Sequence, residues 1–333
     1  MKPAWKWDVT ADYRPLCSVT MSDRVLLDLA AAHPEAAVVG DALAARDWGA
    51  ARAAVDAAPP VLRSMLIDDG AERDDLEEFL REVISADPAD TAAVAMLGAH
   101  LIKVGWRIRG GARARHVSER QLTEFHDWLR KAEMVLLDGV ARNPADPALW
   151  VARLTSARGL AMNLAEINRR YDKLAAIDPH HLPGQNAYLQ RLCPKWGGDW
   201  ELLHGWCRSA MLAAPPGAVQ ARLVVDGHLE HWLDAGRVRS YLRGKAVRIE
   251  IYEAARRSVW HPDFRQDPGW VGLASSLAMT FSLMDDRPSA ARVFDLLGDL
   301  SSTWPWLYFG GTDPAAEIAE QRKIAYKYAE IDR

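Results

Sequence analysis

Asn143-Pro144-Ala145-Asp146-Pro147-Ala148-Leu149-Trp150 opens the stretch that decides the fold, and Ala214-Pro215 closes it. Asp178-Pro179 repeats the same break between them, and Asp87-Pro88 precedes it upstream. Each pair ends an alanine-rich helical pattern and is followed by another. The four prolines lie 56, 35 and 36 positions apart. Proline cannot continue a helix, because it lacks the N–H, yet it suits the first turn of the next one. A hairpin of two short helices has too little core of its own and must stack on its neighbours. A period near 35 therefore predicts antiparallel helix hairpins in series. The longer first spacing fits the same period if about 20 residues are inserted. Arg107 to Val117, with the long helix behind them, supply that insertion.

Working outward, helical periodicity covers almost the whole chain, and no run of alternating β-branched residues appears. The pattern predicts an all-α protein with helices near 23–32, 35–46, 48–57, 59–69, 73–86, 90–106, 118–142, 147–162, 164–177, 183–192, 199–213, 217–234, 237–259, 269–284, 288–299 and 314–331. Ser118-Glu119-Arg120-Gln121 reads as a capping box, with Leu122, Phe125, Leu129 and Leu136 on one face behind it.

Trp270-Val271-Gly272-Leu273-Ala274 resembles the first-helix start of a tetratricopeptide repeat, and Ala290-Ala291-Arg292-Val293-Phe294 resembles its second helix. Trp150 stands where the first-helix aromatic would, although no repeat carries the full motif and the Gly and Tyr positions are mostly lost. The segments around Gly105-Trp106-Arg107, His116-Val117-Ser118, Phe125-His126, Asp178-Pro179-His180-His181 and Cys193-Pro194-Lys195-Trp196-Gly197-Gly198 are similar to a group of uncharacterised bacterial repeat-like proteins. The resemblance spans about residues 85–310 and implies a degenerate tetratricopeptide-like α-solenoid, with no activity attached. It implies a helical cap over 1–84, the repeat array over 85–312 and a capping helix over 313–333.

Composition bounds the function. Net charge is −4 and pI about 6.2, which does not supply the concentrated basic surface of a general nucleic-acid binder. Cys17, Cys193 and Cys207 form an odd set without CxxC spacing, as expected of reduced thiols. The N-terminus has no apolar core of a secretory signal, and Trp270 to Met284 is too short and too polar to span a membrane. A cytoplasmic protein without nucleic-acid or membrane partners is the expectation.

Several residues are candidates for ligand contact. His228-Leu229-Glu230-His231 follows Pro215 on a helix whose apolar stripe is Val225, Leu229 and Trp232. In a repeat array this is a first helix, and its two imidazoles would edge the concave groove, able to meet a polar or anionic ligand. Spaced i, i+3, they are a weak metal signal, so no metal and no cofactor is assigned. The alternative is boundary packing. Arg107, Arg109, Arg113, Arg115 and Arg120, with Gly110-Gly111, make the one strongly basic segment, suited to a carboxylate or phosphate or else to neighbouring acids such as Glu119 and Glu124. His126 lies beside Phe125, and Trp196 sits in a glycine turn where it could fold over a groove. Trp306, within Trp304-Pro305-Trp306-Leu307-Tyr308-Phe309, fits a binding surface or the seat of the last helix equally.

No P-loop, GxGxxG, GxSxG or HExxH occurs. Cys193 would serve as a nucleophile only if a histidine reached it. The sequence thus predicts a binding protein that holds a peptide, a partner protein or a small anionic ligand in a concave groove. The alternative is an enzyme or ligand-processing protein of a specialised pathway, working in a pocket lined by His, Arg and Trp.

Overall fold

The computed structural model describes residues 24–111 and 116–331, with side chains to 327, and 73% of the described residues are helical. The helices are α1 (Leu29–Ala32), α2 (Glu35–Ala44), α3 (Trp48–Ala57), α4 (Pro60–Gly70), α5 (Glu77–Ala86) and α6 (Thr91–Arg109). Next come α7 (Glu119–Arg142), α8 (Pro147–Gly159), α9 (Leu164–Ile177), α10 (Leu182–Leu192), α11 (Trp200–Ala213) and α12 (Ala221–Asp234). The chain ends with α13 (Arg239–Leu242), α14 (Lys245–Arg257), α15 (Trp270–Leu283), α16 (Arg287–Leu297), α17 (Thr303–Trp306) and α18 (Pro314–Ile331). Extended pairing among the described residues is one parallel bridge between Leu26 and Leu300.

The recurring break has one geometry. His33, Asp87 and Asn143 each leave a helix at φ near −135° and ψ near 88°, and each precedes a proline. Asp178 does the same at φ −145° and ψ 102°. The ring of a following proline excludes the helical region for the residue before it, so the helix stops there. A side chain then caps the next helix: Asp90 bonds the N–H of Ala93, Asp146 that of Ala148, and His181 that of Gly184. The Ser118–Gln121 capping box forms as expected. The expected helix over 237–259 is instead two, α13 and α14, broken at Gly244, and the expected 23–32 helix shrinks to α1.

Those same caps join helix starts across the molecule. Asp146 also accepts from Arg63 at 2.7 Å and from Thr91 at 2.9 Å, joining the starts of α4, α6 and α8. His181 Nε2 lies 3.1 Å from Ser64 Oγ, which brings in the start of α10. With their starts gathered, α4, α6, α8 and α10 run side by side and contact one another. Outside this row, α7 packs on α6 and α8, α9 on α8 and α10, and α11 on α10 and α12. The α6–α7 approach is closest at Gly98 and Gly139, where an added Cβ would stand 2.4 Å from Leu136 and 2.6 Å from Val94.

Two apolar cores result, one drawn from residues 36–152 and one from 150–325, and they meet along α8. Helices before residue 85 share the first core with α6, α7 and α8, so that core continues unbroken across position 84. No described helix is long and apolar enough to cross a membrane.

Between α7, α8 and α9 lies a buried ionic knot. Arg170 grips Glu133 with two nitrogens, at 2.7 and 3.0 Å, Ser156 Oγ donates to the same carboxylate, and Arg153 approaches it at 3.4 Å. Arg170 also reaches the carbonyl of Arg153 and the carboxylate of Glu166. The knot ties three helices together, because the Arg170 fork and both carboxylates are met at once, while Arg153 Nε stays enclosed without a partner.

Candidate functional site

The row of α4, α6, α8 and α10 walls a cavity of about 640 Å³, a volume that accepts a small molecule or a short peptide. Its apolar lining comes from small and medium side chains such as Met65, Ile102, Val151 and Ala187. Its polar groups divide by sign between two walls. Asp68, Asp69 and Glu72 stand on the side of α4, with Lys103 of α6 beside them, whereas Arg158, Asn186 and Gln190 stand on α8 and α10.

Trp106, at the end of α6, marks the cationic end. Its ring meets that of Trp196 edge-on, with centroids 5.7 Å apart and planes at 89°. The Arg158 guanidinium lies over both rings, at 5.2 and 5.4 Å, and Arg109 over both at 5.4 and 5.7 Å. Such stacking orients a guanidinium while leaving its edge N–H groups for an oxyanion. The turn that carries Trp196 is enforced by its glycines. Gly197 has φ 87°, and a Cβ on Gly198 would fall 1.9 Å from the carbonyl oxygen of Leu192.

Among the described residues Arg158 has no acid of its own. Glu230, the carboxylate whose charge it feels, is occupied by Gln190 at 2.5 Å and Lys195 at 2.6 Å. Arg158 Nε is enclosed and bonds nothing, and burial pulls the guanidinium down to about 10, so it keeps its charge at neutral pH. Two other cavity residues carry enclosed polar atoms without partners, the indole N–H of Trp106 and the amide oxygen of Asn186. Orphaned polar groups are costly in a folded protein, and three of them belong to residues that line this one cavity.

On the opposite wall Lys103 is shared by Asp68 at 3.1 Å and Glu72 at 2.6 Å. Asp69 forms no ion pair among the described residues, and burial, with Asp28 and Asp68 nearby, pushes its carboxyl up.

Two of the residues expected from the sequence, Arg109 and Trp196, meet each other beside Trp106, one of the cavity's lining residues, while Arg113 lies outside the described residues. Arg107 turns from Glu119 and Glu124 to pair with Asp74 at 3.4 Å. His126 stands one ring removed, against Phe125, whose own ring packs edge-on to Trp106 at 4.8 Å.

The expected concave placement of His228 and His231 needs correcting. His228 is buried, with Nδ1 2.8 Å from the Tyr241 hydroxyl and Nε2 3.0 Å from Glu250, while His231 Nδ1 lies 3.0 Å from His204 Nε2. The ring of His231 stacks on Trp200 at 4.2 Å. The pair therefore faces α11, α13 and α14, because Gly227 lets α11 press against α12 at that level. No histidine among the described residues lines the cavity. Among the described residues no group of three or more His, Cys, Asp or Glu has an arrangement that could hold a metal ion. Trp306 also departs from a ligand-contacting role. It is buried, its indole N–H is given to Ser275 at 3.0 Å, and it anchors α17 in the second core. Cys193 is buried too, with burial pushing its thiol up to about 12, which leaves no thiolate for nucleophilic attack.

Arg158, Asp69 and Asn186 were missed. Arg158 had one available signal: it falls in the last turn of α8, 33 residues before Arg191 in the last turn of α10, close to the repeat period. Nothing in the sequence separated Asp69 from Asp68.

No family model matches the chain, and no curated protein or solved structure is significantly similar to it.

Proposed function

We propose that this is a helical-repeat binding protein of tetratricopeptide-like construction, which holds an anionic small molecule or the carboxylate of a peptide in the cavity of α4, α6, α8 and α10. The gathered starts of four side-by-side helices, each followed by an outer helix, support the repeat reading. The observation that carries the ligand is Arg158, a guanidinium fixed on two indoles at the cavity wall, with an enclosed Nε and, among the described residues, no acid to pair with. A group so placed is preorganised for an incoming oxyanion and loses little freedom on binding it. The enzymatic alternative lacks comparable support, since the histidines lie elsewhere.

The test is titration calorimetry with pooled free and N-acetylated amino acids and tripeptides. Arg158→Gln is expected to weaken binding by about tenfold or more, the range for loss of a charge-assisted bond, with the circular dichroism spectrum unchanged. Parent-like affinity in that variant would remove the proposal.

A further inference from the structure

We infer that the ligand of this cavity is zwitterionic, an amino acid or short peptide bearing a free carboxylate and a protonated amine on an apolar body. The inference rests on the anion site proposed above and adds the second charge. The two walls differ in what they lack. At the end of α6 and α8 the unmet groups are donors, Arg158 Nε and Trp106 Nε1. Across the cavity the unmet group accepts: the carboxylate of Asp69, which forms no ion pair among the described residues. A simple anion would satisfy the first set and leave the second as it is. Worse, it would meet the field of Asp68, Asp69 and Glu72, which Lys103 and Arg73 offset only in part. A molecule with an ammonium at one end and a carboxylate at the other satisfies both sets and brings no net charge into a partly desolvated space.

The raised carboxyl of Asp69 agrees with this assignment. Burial and its acidic neighbours disfavour its charge. A bound ammonium supplies the missing counter-charge and restores the ionised form. Between the walls, Met65, Ile67, Ile102, Val151 and Ala187 offer an apolar floor to the body of the ligand. Specificity then comes from the two ends, because a site built to satisfy a polar group rejects an analogue that lacks it far more strongly than it rejects a changed methylene.

The probes are a pool of the twenty free amino acids and a pool of random tripeptides, each also supplied N-acetylated or C-amidated. Calorimetry reads affinity for the whole protein, for Asp69→Asn and for Arg158→Gln. Either free pool should bind, the two pools telling amino acid from peptide, and each single blockage should weaken binding by about tenfold or more. In Asp69→Asn the preference for the free amine over the N-acetyl form should collapse toward unity, while the preference for the free carboxylate persists. Arg158→Gln should show the converse. If N-acetylated pools bind the parent as tightly as free ones, the ligand is a plain anion: the zwitterion is then wrong and the proposed function stands. If no pool binds at all, both fall. Asp69→Asn changes one polar atom on the cavity wall, so its folding serves as the control for any loss seen in Arg158→Gln.

Discussion

Replacing Glu133 with alanine is expected to destabilise the protein by about 3–5 kcal/mol, the penalty for leaving buried charges without their partner. Glu133, Arg153 and Arg170 are 8%, 4% and 2% exposed, and the single carboxylate serves both guanidiniums and Ser156. Its removal strands Arg153 inside the seam of α7, α8 and α9 and leaves Arg170 with Glu166 as its carboxylate partner. The exposed pair of Arg130 with Asp127 is the control, since ion pairs in water contribute about 0–1 kcal/mol. Urea unfolding of Glu133→Ala beside Arg130→Ala makes the measurement. A loss under about 1 kcal/mol in the first would mean that water or repacking relieves the stranded arginine.

Mild acid should also unfold the molecule, through its histidines. Burial, followed by the charges of His228 and His231, holds His204 down to about 4, whereas its ordinary value is 6.5. Between these values the unfolded chain takes up a proton that the folded chain refuses. The stabilisation is therefore complete above about pH 6.5 and drains away as pH falls toward 4. Allowing for the partial exposure of His204, it amounts to about 2 kcal/mol. His33, His181 and His231 are lowered as well, each first by burial, and act in the same direction. Glu250, held below the usual carboxylate range by its bond to His228, loses its contribution in acid too. Thermal melting followed from pH 7.5 to pH 4.5 should show Tm falling throughout, with a shallower fall in His204→Asn. A Tm that stays level across this range would show that the histidine seam admits protons without cost.

The hairpin breaks were legible because their cause is local. A proline acts on the residue before it, so Asp87, Asn143 and Asp178 end their helices in any tertiary setting. Ser118 was readable as a cap because that signal is local too, and it makes its expected bonds. The split at Gly244 was harder to see, since the flanking residues keep a helical pattern through the break. The cavity was scarcely legible. Asp69, Trp106, Arg158 and Asn186 come from four helices, and their meeting depends on how those helices stack. His228 and His231 misled because a helical wheel gives the edge a residue occupies but not which neighbour covers it. Tyr241 and Glu250 cover that edge from α14 and the short helix before it. Arg109 and Trp196 stood out locally, as a glycine-flanked arginine and a tryptophan in a tight turn, and their side chains meet beside Trp106.

The indole N–H of Trp106 gives the most direct test that this cavity is the binding site. Its proton resonance is assignable by the signal lost in Trp106→Phe. Addition of pooled free and N-acetylated tripeptides should move that resonance saturably in the parent, as the orphaned donor gains an acceptor, and leave it in place in Arg158→Gln. The resonance of Trp306, already bonded to Ser275, should not move in either protein. Binding that leaves Trp106 unmoved, or a shift that survives the loss of Arg158, would place the ligand elsewhere and contradict the account.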